Sequence, residues 1–416
     1  MSERDQLLKW IEDEEEAIIG FFQEFVRRPS PNPPGDTTEA VAHIKRFLET
    51  NDLAYRIIDP QPLFANVVAS FDAPSAGRHL VLNGHIDVFP VGEDPDAEGW
   101  TTAPWGGEIR DGKLYGRGAC DMKAGTSASI WTYALLHRIK DKLKGKLTLT
   151  CVSDEETFGP WGARYLMEHH PEVHGDCCLN GEPSSPYSIR FGEKGPIWLN
   201  FTIRTPGSHG AYTHSSPSAT RIAARLIGDL EALEEMAFDY PDNVRTALLE
   251  GQEAADTAMG EGASEILPKV TLNIGTIKGG LKVNMVPGEC SFEADIRLPV
   301  GVAKETVMAR VEEIAAGFPE ATFEEINCNL PSYCDPYGDM MGIIQRNVEQ
   351  LKGFTPKPVV SLGGTDARLW RYIDVPAYVY GPFPANMGAA DEYVEVEEYL
   401  HIVRTHVLSA YDYLTS

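Results

Sequence analysis

The run Lys146–Gly159, K-L-T-L-T-C-V-S-D-E-E-T-F-G, constrains this chain more than any other stretch. Leu147, Leu149 and Cys151 alternate with polar residues and Val152 closes the run, which is the period-two pattern of a strand. Directly at its end stand Asp154, Glu155 and Glu156. Three consecutive carboxylates at the tip of a buried strand repel one another, and they need a cation or a proton to be tolerated there. Adjacent residues point in different directions, so one glutamate can bind a metal while its neighbour faces a water on that metal. A solvated acidic loop is the alternative, and this stretch taken alone does not decide between the two.

The rest of the chain narrows the choice. At 416 residues it is too long for one ordinary core, which predicts two domains. Lys plus Arg number 36 against 62 Asp plus Glu, a net charge of −26 with His neutral. That balance argues against nucleic acid or an anionic membrane as partner, since either needs basic patches. No apolar run approaches the roughly 20 residues of a membrane span, and the opening M-S-E-R-D-Q-L-L-K-W lacks the charge order and apolar core of a signal peptide. The seven cysteines are scattered, with only Cys177 and Cys178 adjacent and no C-x-x-C pair, which argues against a disulfide framework or a thiolate zinc site. The expectation is a reduced, cytoplasmic protein.

Taken in order, residues 5–26 carry apolar positions at helical spacing and residues 28–35, R-P-S-P-N-P-P-G, stop that helix. A second helix is expected over 37–51, and strands over 55–58, 66–71 and 79–88, the last delivering His85 and Asp87. The glycine-rich turn 114–125 sets Asp121 ahead of a helix over 125–139, and 176–182 reads as a further strand ending on Glu182. Strands alternating with helices predict an α/β fold, a mostly parallel sheet covered by helices, with ligands gathering beyond the carboxyl ends of the strands. From about residue 195 the alternation becomes that of half-buried antiparallel strands separated by two helices, an α+β unit inserted into the first domain. The expected division is 1–194 and 328–416 for the catalytic domain and 195–327 for the insert, with the acidic segment 240–262 as a surface excursion without function.

His85 and Asp87 form an H-x-D pair, and on a strand residues two apart share a face, so the carboxylate can orient the imidazole toward a metal. Each acid also has a plain structural reading: Asp121 as a helix N-cap, Glu182 as a loop acid. Together, one histidine and the carboxylates of Asp121, Glu156 and Glu182 make a nitrogen and oxygen site suited to zinc, manganese or cobalt. Glu155 is then a carboxylate beside the metal but spare, the composition of metal-assisted hydrolysis.

In these residues the chain resembles the metal-dependent aminoacylase, acetylornithine deacetylase, succinyl-diaminopimelate desuccinylase and carboxypeptidase G family. The resemblance runs in order through G-H-I-D-V-F-P at 84–90, G-R-G-A-C-D-M-K-A-G at 116–125, S-D-E-E-T-F-G at 153–159, G-E-P at 181–183 and G-G-T-D-A-R at 363–368. It implies that His85 and Glu182 bind one metal, Glu156 a second, and that Asp121 bridges them. It further implies that Asp87 orients His85, that Glu155 is general base and then general acid, and that a cis peptide follows Asp121. The 195–327 unit would be a lid through which the protein forms a homodimer. His209 would reach the partner subunit's site, with His214 second to it, while Asn284 and Arg297 of the lid and Gly364 and Thr365 of the catalytic domain would grip a substrate carboxylate.

One departure stands out. The family closes its second metal site with a histidine three residues ahead of an acid or Asn followed by Glu, and here, ahead of Asp391 and Glu392, that position is Gly388. Ala385 is no ligand either, and His401 lies in the closing helix with a structural reading. One tightly bound ion is therefore expected rather than two, either as a natural one-metal state or as a two-metal site that has lost a ligand. The leading reading is hydrolysis of an amide C–N bond in an N-acyl amino acid or peptide-like small molecule bearing a carboxylate. A single-metal hydrolytic deaminase of an aromatic or other small amine is the second, and an inactive small-molecule binding protein on the same scaffold the third.

Overall fold

The alternation in the acidic run becomes the strand Lys144–Val152, buried from Leu147 onward, in the computed structural model of the chain, which describes residues 2–416. It lies between Asn66–Asp72, antiparallel to it, and Ser75–His85, parallel to it. Beyond Ser75–His85 the sheet continues in parallel through Cys177–Asn180 and Ala377–Val379, then reaches Ser188–Glu193 in the antiparallel sense. Lys357–Ser361 pairs in parallel with Ser188–Glu193, and short antiparallel strands close the edges, giving nine strands with a parallel centre.

Both faces of this sheet are covered, which is why its strands read as nearly unbroken apolar runs. Leu80 and Leu82 face a core built with the helices Glu15–Val26, Ala124–Arg138, Asp339–Lys352 and Val396–Thr415. Val81, between them, faces the opposite core with the helices Ala163–His169 and Ala367–Arg371 and the buried Trp370. The central parallel strands end at one edge, so His85, Ser153 and Gly181 emerge side by side.

A separate four-stranded antiparallel sheet runs in the order Thr271–Gly279, Glu289–Leu298, Gly195–Arg204, Ala321–Cys328. Alternate residues Ile197, Leu199, Phe201 and Ile203 pack with Ile222, Leu226 and Leu230 of the helix Ala219–Leu230 and Val307 and Val311 of Lys304–Ala315. The intervening Trp198, Asn200 and Thr202 are half-buried, as a sheet covered on one face requires.

Two expectations change. The opening helix is two helices, Glu3–Asp13 and Glu15–Val26, meeting at Glu14, whose backbone leaves the helical region. The segment 240–262 is not a surface excursion: its helices Asp242–Glu250 and Gln252–Met259 bury Val244, Ala247, Ala254 and Ala255 in the main core. Small residues let these helices approach the sheet closely, and at Gly251 a Cβ would lie 2.4 Å from the Pro358 carbonyl oxygen. No helix among the described residues is long and apolar enough to cross a membrane.

Candidate metal centre

Three strand ends and one turn build the site. Ser75–His85 ends on His85, and Lys144–Val152 runs into the turn that carries Glu155 and Glu156. The strand expected to reach Glu182 stops at Asn180, whose side chain accepts from the Glu182 backbone N–H at 2.8 Å and donates to Asn83 at 2.8 Å. Asp121 comes from the glycine-rich turn, where Gly118 has φ +78° and a Cβ would lie 2.2 Å from Val88. The Asp121–Met122 peptide is cis.

His85 is 1% exposed, and its Nε2 lies 3.1 Å from Asp121 Oδ1 and 3.2 Å from Glu182 Oε1. Its Nδ1 lies 2.8 Å from the backbone oxygen of Asp87. A carbonyl can only accept, so Nδ1 carries a proton and Nε2 is turned toward the two carboxylates. The ligand atoms of His85, Asp121 and Glu182 all fall within 4.8 Å of one another. Close by in sequence, Glu156 Oε1 is buried with no hydrogen-bond partner. Burial pushes the carboxyls of Glu155, Glu156 and Glu182 up, and the Asp121 charge raises the last two further. Burial alone would lower His85, but Glu182 and Asp121 carry it well above its ordinary value. Converging lone pairs, an orphaned carboxylate oxygen and a mixed nitrogen and oxygen donor set fit a divalent cation.

Asp87 orients His85 differently from the H-x-D expectation. The strand ends at His85, so the shared-face geometry of a regular strand no longer applies two residues on. The backbone carbonyl takes the imidazole proton, while the carboxylate stands 3.6 Å from Nδ1. That carboxylate accepts from the backbone N–H of Glu155 at 3.3 Å and of Glu156 at 3.1 Å, and from Asn32 at 2.9 Å. Asp87 thus ties the histidine to the glutamate turn. Asp154 is spent on closing that turn, accepting from Thr157 at 2.8 Å and the Trp161 N–H at 3.1 Å.

Glu155 is buried and lies 3.4 Å from Nη1 of the buried Arg368, whose guanidinium stacks over Phe158. Arg368 closes the quoted G-G-T-D-A-R motif, yet nothing in its spacing assigned it to Glu155. Gly364 and Thr365 line a cleft of about 620 Å³ together with Asp121, Glu182 and Arg190. Thr365 is fixed by its N–H and hydroxyl, which donate to Glu193 at 2.9 and 2.8 Å. Thr257 and Met259, from the docked helix Gln252–Met259, form another part of the wall.

The lid residues are not in this cleft. His209 is exposed on a two-residue ladder with Met285, and its Nδ1 accepts from the Ala211 N–H at 3.2 Å. The Asn284 carbonyl accepts from the Gly210 N–H at 2.7 Å. Arg297 is held by both carboxylate oxygens of Asp295, at 2.9 and 3.0 Å. At the departure from the family pattern, Gly388 has φ +73° and a Cβ there would lie 3.2 Å from the Phe89 ring. Glu392 accepts from the N–H groups of Cys120 and Asp121 at 2.9 and 3.0 Å and pairs with Arg117 at 2.6 Å.

A parallel-centred sheet that brings a histidine and two carboxylates together beside its strand ends, with Glu155 and Glu156 on the adjoining turn, is the architecture of a metal-dependent hydrolase. More particularly, the chain belongs to peptidase family M20/M25/M40, whose model matches residues 81–411. It is 30% identical over 392 residues to a succinyl-diaminopimelate desuccinylase of Cereibacter sphaeroides, a match covering 91% of this chain and 94% of the relative. In fold it is similar to the M20 family metallo-carboxypeptidase Sso-CP2 from Sulfolobus solfataricus, with a TM-score of 0.79 at 18% identity over 96% of this chain and 99% of that one. It is likewise similar to the di-peptidase Dug1p from Saccharomyces cerevisiae, with a TM-score of 0.77 at 14% identity over 100% of both chains. The chain is a metal-dependent hydrolase of amide bonds.

Proposed function

We propose that the chain hydrolyses the amide of an N-acylated amino acid or short peptide, with Glu155 as the group that moves the proton. The observation that carries this reading is a buried carboxyl, Glu155, standing beside a cluster of His85, Asp121 and Glu182 that is complete without it. Those three side chains would hold the ion, zinc, manganese or cobalt. A divalent ion supplies Lewis acidity, lowering the pKa of water and polarising a carbonyl. Burial gives the Glu155 carboxyl a raised proton affinity, which suits it to accept a proton from water and return it to the leaving amine. Arg368 fixes one of its oxygens, and Asp87 fixes the backbone that presents it. The similarity to a desuccinylase over most of the chain supports the acyl amino acid class.

One tightly held ion per chain, rather than two, fits the donors at hand. A second position would draw on Asp121 and Glu156 only, both oxygen ligands. The left-handed backbone at Gly388 suits glycine and disfavours a histidine there, which supports a natural one-metal state over a recently lost ligand. We also infer a homodimer through the lid, in which His209 serves the partner's site. The lid carries Leu281 and Val283 at 90% and 99% exposure, apolar side chains with nothing to cover them within the chain.

The decisive variant is Glu155→Gln, assayed on N-acyl amino acids and dipeptides with added zinc, manganese or cobalt. It should keep its metal content and lose roughly 10²- to 10⁴-fold in turnover. Near-normal turnover would remove Glu155 from the mechanism.

A further inference from the structure

The strand Ser188–Glu193 is buried along its whole length, and Ile189 and Phe191 sit in the main core. Arg190, between them, points to the other side of the strand and onto the cleft that Asp121 and Glu182 line. It is 8% exposed and is the only basic residue on the cleft wall. Its nearest acidic neighbours are already committed: Asp121 and Glu182 to His85, and Glu193 to Thr365 and, at 3.0 Å, to Arg371. The Arg190 guanidinium makes no hydrogen bond or ion pair with any described residue, and its nitrogens are not sealed by protein atoms. A guanidinium withdrawn from water without a partner is costly, and it is retained where a ligand completes it.

The contrast with Arg297 is informative. Arg297 is already neutralised by a two-point contact with Asp295, so its fork is not free for a carboxylate. Arg190 has the free planar fork, in a confined space, facing the reacting groups.

We propose that Arg190 is the docking point for a carboxylate carried by the substrate on one arm of the amide, away from the bond that is cleaved. This rests on the amide-hydrolase reading for what is bound, and adds that the substrate presents a second anionic group to the cleft. A neutral acyl or peptide arm would leave Arg190 as unpaired as it is now.

Binding tests this without relying on turnover. Succinate, glutarate and adipate, each against its monoamide, are titrated calorimetrically into the metal-loaded protein. One carboxylate can occupy the metal cluster, and the second reads Arg190 at three spacings. The wild type should bind at least one diacid about tenfold or more tightly than its monoamide, the size of a charge-assisted two-point contact. Arg190→Gln should abolish that preference with unchanged metal content, and Arg190→Lys should retain part of it. No preference for any diacid in the wild type would overturn the proposal, as would a preference that survives in Arg190→Gln. A protein that binds diacids through Arg190 but hydrolyses no amide would instead count against the hydrolytic reading alone.

Discussion

At Gly388 the backbone decides what the side chain can be. A φ of +73° is costly for any residue with a Cβ, about 1–2 kcal/mol. Gly388→Ala should lower the unfolding free energy by that amount in urea titrations, and an unchanged midpoint would mean the loop relaxes freely. Gly388→His should show no second tightly held ion by metal analysis after dialysis. Recovery of two ions with a large rate increase would instead identify a lost ligand. Arg368 is the other residue whose environment sets its role, since its guanidinium reaches the Glu155 carboxylate and touches no donor of the cluster. Arg368→Ala should reduce kcat about tenfold, shift the acidic limb of its pH profile to higher pH and leave metal content intact, with partial rescue by lysine. A uniform loss with an unmoved profile would mark Arg368 as structural.

Among the elements, the closing helix Val396–Thr415 carries a pH dependence of its own. His401 Nε2 meets the Tyr380 hydroxyl at 2.8 Å, and His406 Nε2–H donates to the Tyr380 carbonyl at 2.7 Å. Burial holds these imidazoles down, at about 3 and about 4. The unfolded chain binds their protons first as pH falls below about 6.5, so stability drops from there toward the folded values. Each such histidine withdraws up to ~1.4 kcal/mol per pH unit. His401→Gln should therefore flatten the fall in urea midpoint between pH 7 and pH 5 relative to the wild type, and identical slopes would exclude the mechanism. This helix was legible because its apolar stripe repeats over many turns. The convergence of His85, Asp121 and Glu182 was legible because each sits in a short motif at a strand end or glycine turn. Arg190 was not, since one charge inside an apolar strand carries no spacing signal. The helices over 242–259 were hidden because their docking face is mostly alanine in an acidic stretch. The Asp87 carboxylate was misplaced because the strand rule was carried past the last strand residue.

At the scale of the whole molecule, the cleft holds the metal cluster while His209 lies exposed on the lid ladder. If each site borrows the partner's histidine, His209→Ala and Glu155→Gln proteins, nearly inactive alone, should recover on mixing. Half of randomly exchanged dimers are mixed and each has one intact site, so recovery should approach roughly a quarter of wild-type activity. No recovery, with exchange demonstrated, would sink the shared site.

The docked helices over 242–259 bear on how such a molecule can move. The chain passes between the two hydrophobic cores near Gly195 and again near Asn329, as any inserted unit must. It also leaves the lid core at Tyr240, buries Val244 through Ala255 against the catalytic sheet, and re-enters the lid at Val270. Lys194 cross-links the return path through the carbonyls of Ile266 and Lys269. The two bodies are thus moored by four strands of chain instead of two. A two-strand connection behaves as a door hinge, whose swing leaves the frame untouched. Here one mooring is itself part of the cleft wall, through Thr257 and Met259, so any excursion of the lid would pull on the dimensions of the cleft that Asp121 and Glu182 line.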